Sequence, residues 1–165
     1  MNGSAPPFSP TPPDLSGLSL SEATTGLQPF LVACRRHLHQ HPEVGFKEFQ
    51  TASFVRGVLK KAGFDVQEAA ETGAWVEIQG GKPGPTLAYR ADLDALPMQD
   101  AKTTPYASTI PGVAHLCGHD AHTTIAIGVA LLAKQSQADL KGRIRVFFQP
   151  NEEGMPMKRP KLFRQ

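Results

Sequence analysis

Helical and strand-like periodicities alternate along this chain, and this alternation constrains its fold more than any other feature. Apolar side chains recur at helical spacing from Leu27 to Leu38, and again from about Lys47 until Gly63 ends the pattern. Later segments predict three short strands, a heavily buried helix and a last strand, in the order Phe64–Glu68, Ala74–Gln79, Thr86–Arg90, His122–Gln135 and Arg143–Gln149. Helices and strands in this order predict an α/β sandwich with a mixed sheet.

The two ends of the chain differ in composition from its middle. Residues 1–21 are rich in Pro, Ser and Gly and predict a disordered leader, without the apolar run of a signal peptide. Residues 22–154 form the predicted domain. Residues 155–165 form a basic tail with two prolines and no helical stripe, in which the basic residues are Lys158, Arg159, Lys161 and Arg164.

Composition excludes some classes of protein and favours others. The net charge of +2, from 17 basic and 15 acidic residues, leaves no broad positive field for nucleic acid. No segment reaches the roughly 18 apolar residues that a membrane-spanning helix needs. The two cysteines are too few for a disulfide framework, so a reducing, cytoplasmic location is predicted. Cys34 lies on the apolar stripe of the first helix and is predicted to be a small core residue.

Polar residues collect where three predicted elements begin or end. Asp92 and Asp94 follow the third predicted strand, and Glu152 and Glu153 follow the last one. The segment His115–His122 precedes the buried helix. Because ligands of open α/β sheets bind beyond the carboxyl ends of strands, these segments predict one shared site.

The middle segment is the most informative of the three. Cys117 and His119 flank Gly118, and a tight turn there aims a thiolate and an imidazole at one point, as a zinc-like cation requires. Asp120 is placed to fix a histidine tautomer or to support the metal from outside its ligand shell. The spacing alone leaves a second interpretation open, in which Asp120 caps a helix and the histidines are merely exposed.

The carboxylate pairs strengthen the metal hypothesis. If strand geometry continues, Glu152 and Glu153 point to opposite sides, so that one can bind a metal and the other can accept a proton from water. The alternative is a pair of solvated surface acids. Asp92 and Asp94 point to one face and can orient ligands, unless they merely form an Asx turn. A thiol hydrolase with Cys117 as nucleophile and His119 as base is a further alternative, which their placement in one tight turn disfavours.

Taken in order, these segments resemble the dinuclear-metal aminoacylase and carboxypeptidase amidohydrolases. That family includes hippurate hydrolases and the plant enzymes that cleave amino-acid conjugates of indoleacetic acid. Four spaced motifs carry the resemblance, between about Phe30 and Gly154: Arg35–Phe46 with Glu48, Tyr89–Pro97, His115–His122 and Phe148–Gly154.

The resemblance implies a role for most of these side chains. Cys117, His119 and Glu153 would be ligands of a centre with two divalent cations (Zn, Mn, Co or Ni), and Glu152 would be the general base. Asp94, and less directly Asp92, would support the ligands from behind. The substrate would be an N-acyl amino acid or a small peptide. No ligand role is implied for His39 and His41, for which an interaction with the dipole of the first helix is the simpler interpretation.

This sequence departs from the family after Gly154. Members continue through a lid or dimerisation domain and return to the catalytic domain with two further histidine ligands, whereas residues 155–165 do not resemble the family. We therefore expect a truncated catalytic domain, with an exposed sheet edge at Arg143–Gln149. Two hypotheses follow: an amidohydrolase, with a homo-oligomer as one expected assembly, and a non-catalytic remnant that binds metal or a full-length partner.

Overall fold

The computed structural model describes residues 10–154, which form three helices and a four-stranded sheet. In chain order these elements are α1 (Leu20–Gln40), α2 (Phe49–Lys61), β1 (Gln67–Ala69), β2 (Gly73–Gln79), β3 (Lys82–Asp92), α3 (His119–Gln135) and β4 (Lys141–Gln149). The predicted elements are all present, and their bounds differ by a few residues. The mixed α/β fold is confirmed.

The first helix begins earlier than its apolar stripe predicts. Ser19 and Glu22 form a capping box, in which each side chain bonds to the backbone of the other residue, and this box fixes the start of α1 at Leu20. Leu15 is buried in the main core cluster. The predicted disordered leader of residues 1–21 is therefore wrong for its last residues, because local capping and one buried leucine order them. Residues 1–9 and the tail 155–165 lie outside the described residues.

The sheet has the strand order β1-β2-β4-β3. Strand β4 pairs antiparallel with β2 and parallel with β3, so it lies in the interior of the sheet. The predicted exposed edge at Arg143–Gln149 is therefore wrong. The edge strands are β1 and β3, and Leu87 of β3 is 58% exposed. The reason is long-range: β4 inserts between two strands that precede it in the chain.

The core lies between the sheet and the helices. Val76, Val146 and Phe148 project from one sheet face into a cluster with residues of all three helices, including the fully buried Cys34. The prediction for Cys34 is confirmed, and burial raises the pKa of its thiol to about 12. Helix α3 contacts β2, β3 and β4, and α1 packs on α3. This packing holds the start of α3 above the carboxyl ends of the parallel pair β3 and β4.

Among the described residues, no helix combines the length and the apolar character needed to cross a membrane.

Candidate metal centre

The carboxyl ends of β3 and β4 lie side by side and carry the acidic residues to one edge. Asp92 pairs with Gln149, and the Leu93 amide donates to the Gln149 carbonyl at 2.9 Å, so the two chains stay together past the strand ends. The Glu153 amide then donates to Asp94 Oδ2 at 3.0 Å. The expected convergence of these two segments is therefore present in the structure.

The start of α3 brings the next two side chains to the same edge. Gly118 is the N-cap and has φ 99°, a left-handed conformation that favours glycine. Its carbonyl accepts from the Ala121 and His122 amides at 2.9 and 3.0 Å, which closes the first turn of the helix. Cys117 and His119 therefore flank a sharp turn, as their spacing predicts.

Cys117, His119 and Glu153 come together as one cluster. One ligand atom from each of them lies within 4.8 Å of the others. A thiolate, an imidazole and a carboxylate suit zinc and other late first-row divalent cations, so the chemistry of these donors fits such an ion. The structure thus places the three predicted ligands in one group.

Asp94 orients the His119 ring through contacts with Nδ1. His119 Nδ1 lies 2.8 Å from the Asp94 carbonyl oxygen and 3.3 Å from Asp94 Oδ1. When Nδ1–H donates to that carbonyl, the lone pair of Nε2 faces outward. Nε2 lies 3.7 Å from Glu152 Oε2 and 3.8 Å from Glu153 Oε1. Asp94 thus contacts two of the three candidate ligands.

The two glutamates face the same imidazole, although the sequence predicted opposite directions. Strand β4 ends at Gln149, and Asn151 has φ 51°, so the alternation of a strand does not continue to residues 152 and 153. The Glu152 side chain is 37% exposed and the Glu153 side chain 22%. A carboxylate that is partly open to solvent can exchange a proton with water, and one closer to the thiol can bind a cation.

Glu48 holds the turn that carries Glu152 and Glu153, and sequence reasoning assigned it no role. It is fully buried, and its carboxylate accepts from the Asn151 amide at 2.9 Å and from the Thr72 hydroxyl at 2.7 Å. The turn that carries both glutamates is therefore fixed to the start of α2. In the sequence, the signal for Glu48 was its place in the first family motif. The structure adds that the position is buried, where a charged residue requires partners.

The Cys117 thiol is exposed and interacts with the acidic residues. A hydrogen bond to Glu153 is the largest cause of its raised pKa, and the negative charges of Glu153, Glu152 and Asp92 add to it. Without a cation the thiol therefore keeps its proton. A cation that binds here would displace that proton and neutralise the surrounding carboxylates.

A second group of three donors overlaps the first. Asp92, His119 and His122 also offer atoms within 4.8 Å of one another, and His122 Nδ1 lies 3.3 Å from Asp92 Oδ2. Arg90 Nη1 lies 3.2 Å from Asp92 Oδ1, however, and its positive charge opposes a cation at this position. The first group is the better candidate, and Asp92 instead contacts Arg90 and His122.

Asp120 contacts a histidine that its position in the sequence did not suggest. Its Oδ2 lies 2.6 Å from His39 Nδ1 and 2.9 Å from Arg35 Nε. The ring it orients is therefore that of His39 on α1. Asp120 is also not the N-cap of α3, since that position belongs to Gly118.

The two histidines near the end of α1 differ from each other. His41 Nδ1 lies 2.8 Å from the His37 carbonyl, which agrees with an interaction at the end of the helix. His39 also lies in the last turn of α1, but it is fully buried and its shortest contact is with Asp120 on α3. Packing against α3 shields the His39 side chain from solvent.

Known proteins share these motifs and this geometry. The model of peptidase family M20/M25/M40 matches residues 88–160, which include every candidate ligand. An N-acetyl-L-cysteine deacetylase of Bacillus subtilis is 46% identical over 128 residues, which are 77% of this chain and 31% of that protein. The chain belongs to peptidase family M20/M25/M40.

Two further relatives of the M20 chain agree with this assignment. An N-acyl-L-amino acid amidohydrolase of Geobacillus stearothermophilus is 43% identical, over 76% of this chain and 34% of that protein. The crystal structure of a Bacillus subtilis protein, described as a dinuclear metal-binding peptidase of the M20 family, superimposes with a TM-score of 0.73 and 41% identity, over 81% of this chain and 37% of that one. This chain spans about a third of the length of the curated relatives that it matches.

Proposed function

We propose that this chain carries three metal ligands and the general base of a metal-dependent amidohydrolase that cleaves N-acyl amino acids or small peptides. The observation that supports the proposal most directly is the convergence of Cys117, His119 and Glu153 beside Glu152. The names of two relatives, a deacetylase of N-acetylcysteine and an amidohydrolase of N-acyl amino acids, suggest the class of substrate.

Each side chain has a separate task in this proposal. Cys117, His119 and Glu153 hold a divalent cation, for which Zn²⁺, Mn²⁺, Co²⁺ and Ni²⁺ all suit the donors. When bound, the cation polarises the amide carbonyl and makes a nearby water more acidic. Glu152 accepts the proton of the attacking water and returns it to the nitrogen of the leaving amino acid. The products are a carboxylic acid and a free amino acid.

The supporting residues keep these groups in place. Asp94 holds the His119 ring through its carbonyl and the Glu153 backbone through its carboxylate. Contacts to a ligand of this kind commonly change metal affinity by about 10–100-fold. Asp92 and Asp120 contact His122 and His39 instead, which are not ligands in this proposal.

The thiol-hydrolase alternative is less favourable. A cysteine nucleophile needs a lowered pKa, usually beside a positive charge, whereas the pKa of Cys117 is raised by carboxylates. The same carboxylates favour a bound cation.

The test is hydrolysis of hippurate and of N-acetyl-L-cysteine by the purified 165-residue chain, with Mn²⁺ or Zn²⁺ and with chelator. We expect metal-dependent release of the amino acid that is lost in Glu152→Gln, because the amide side chain has the same shape but accepts no proton. Glu68→Gln is the matched control, since Glu68 is exposed and pairs with Arg56. Equal turnover in Glu152→Gln and the control would overturn the role of Glu152.

A second candidate is a chain that binds a cation, or a full-length relative, without turnover. The observation that favours it is the candidate centre itself, which offers three converging donors among the described residues. Isothermal titration with Zn²⁺ distinguishes the two candidates. Cation binding that depends on Cys117, with no hydrolysis of either substrate, would support the second candidate over the first.

The cellular setting and the assembly stay predictions. Cys34 and Cys117 are both free, which agrees with a reducing compartment such as the cytoplasm. Size-exclusion chromatography with light scattering would test whether the chain forms a homo-oligomer.

A further inference from the structure

His39 has a buried, titratable side chain that the proposed chemistry does not use. Its side chain is 0% exposed, and each of its ring nitrogens faces a carboxylate. Nδ1 lies 2.6 Å from Asp120 Oδ2, and Nε2 lies 3.5 Å from Asp100 Oδ2. Burying an imidazole costs free energy that hydrogen bonds must offset, and here Asp120 bonds to Nδ1 whereas Nε2 has no hydrogen bond among the described residues.

The two carboxylates bracket the segment that carries two of the candidate ligands. Asp120 directly follows His119. Asp100 lies near the start of the segment 97–118, which leads from the end of β3 to Cys117. His39 on α1 therefore contacts the chain on both sides of the Cys117–His119 turn.

Asp100 organises the segment around itself. Its two oxygens accept from the Ser108 amide at 2.9 Å and from the Lys102 amide at 3.0 Å. One residue beyond Ser108, the amide and the hydroxyl of Thr109 both donate to the Gln40 carbonyl at the end of α1, at 2.9 and 2.7 Å. The segment 97–118 is thus folded on Asp100 and attached to the residue that follows His39.

Asp120 is held as firmly on the other side. Besides His39, it contacts Arg35 on the same face of α1 at 2.9 Å, and its backbone carbonyl accepts from the Thr124 hydroxyl at 2.7 Å. Two side chains of α1, one turn apart, therefore converge on the first turn of α3. A displacement of Asp120 would move His119, its neighbour in the chain.

We infer that His39 is a positioning residue, which fixes the segment 97–118 and the first turn of α3 and thereby aligns Cys117 and His119 with Glu153. The inference rests on the proposed function for its consequence, metal binding. The placement of the segment itself can be measured without any metal. The shorter contact, to Asp120, carries most of the effect.

Two substitutions separate the two contacts of His39. The amide nitrogen of asparagine lies near the place of Nδ1, so His39→Asn keeps a donor for Asp120. The amide nitrogen of glutamine lies near the place of Nε2, which faces Asp100 Oδ2 at 3.5 Å without a hydrogen bond among the described residues. His39→Gln therefore keeps only this longer contact and loses the donor for Asp120. His41→Asn, on the exposed side of the same helix end, is the matched control.

The experiment measures three quantities on the full 165-residue chain: the Co²⁺ dissociation constant, followed by the thiolate-to-cobalt charge-transfer band, amide hydrogen exchange without metal, and the melting temperature. In His39→Gln we expect Co²⁺ binding weaker by at least about tenfold. We also expect faster exchange confined to residues 97–122. His39→Asn and His41→Asn should stay close to the wild type in both quantities.

Two results would overturn the inference. In the first, His39→Gln keeps the wild-type affinity and exchange. In the second, exchange rises equally in α2 and β2, which would make His39 an ordinary core residue. If the wild-type chain binds no Co²⁺, the proposed metal centre fails, and the exchange pattern alone then decides whether His39 fixes the segment.

Discussion

The candidate centre has two sides that are built differently. The inner side (Asp94, His119 and Asp120) is 1–2% exposed, and each of its residues has at least two polar contacts with other parts of the chain. The outer side (Cys117, Glu152 and Glu153) is open to solvent to varying degrees. The chain itself therefore preorganises the inner side, whereas a cation would have to order the outer side. Preorganised ligands cost less conformational entropy when an ion binds.

The largest expected effect comes from removing the inner ligand. His119→Ala should weaken Co²⁺ or Zn²⁺ binding by more than the roughly 100-fold that loss of an outer contact can cost, because it deletes a donor that is already oriented. Isothermal titration measures the change. His122→Ala is the matched control, since the two rings are stacked 5.7 Å apart and only His119 belongs to the favoured group. Equal losses in the two variants would move the centre to the Asp92, His119 and His122 group.

The next effect links the inner side to the outer side through Asp94. Asp94→Ala should weaken metal binding about 10–100-fold, because the Glu153 amide and the His119 ring both lose a carboxylate contact. The Glu153 amide is partly buried, so the free energy of unfolding should fall by about 1–3 kcal/mol. Metal titration and urea denaturation measure these two changes.

Asp65→Ala is the control for Asp94→Ala, because Asp65 is exposed and accepts a local bond from the Gln67 side chain. If Asp94→Ala destabilised the chain without changing metal affinity, the two sides of the centre would be independent, and the comparison between them would fail.

Acid should destabilise the fold through His115, a buried ring that lies beside His39. Burial lowers the pKa of His115 from its ordinary 6.5 to about 4. Between these two values the unfolded chain binds the additional proton, so stability is lost as the pH falls from 6.5 towards 4. The loss attributable to this group is up to about 3 kcal/mol. Urea denaturation of the metal-free chain at several pH values measures it.

His115→Leu should flatten this pH dependence. Among the described residues neither ring nitrogen of His115 has a hydrogen-bond partner, so leucine removes a titrating group and breaks no bond of the ring. An equally steep loss of stability in the variant would assign the acid sensitivity to other groups, among them His37, whose pKa burial also lowers to about 4.

The smallest effect concerns the two thiols. Iodoacetamide should modify Cys117 and spare Cys34, since Cys117 is exposed whereas Cys34 is buried and its pKa is raised to about 12. The raised pKa of Cys117 makes its reaction slow at neutral pH and faster as the pH increases. Zn²⁺ should protect Cys117. Mass spectrometry of the modified chain measures all three points, and modification that Zn²⁺ did not slow would count against Cys117 as a ligand.

Local patterns in the sequence predicted the parts of the site that are local in the chain. Gly118 places Cys117 and His119 on either side of one turn, and this needs no information from the rest of the molecule. The helices and strands follow from periodicity in the same way. The direction of Glu152 and Glu153 was predicted wrongly, because the end of β4 and the turn at Asn151 depend on Glu48, which lies 103 residues from Asn151 in the chain.

The mixed α/β class, the family motifs and the donors that could form a metal centre follow from the order of the residues alone. Long-range packing sets three further features: β4 lies between β2 and β3, Asp94 contacts both His119 and Glu153, and His39 pairs with Asp120 across 81 residues. The physical reason is that periodicity and turn chemistry act over a few neighbouring residues. The partner of a buried polar side chain is instead set by how distant elements pack, and a single sequence does not contain that information in any local pattern.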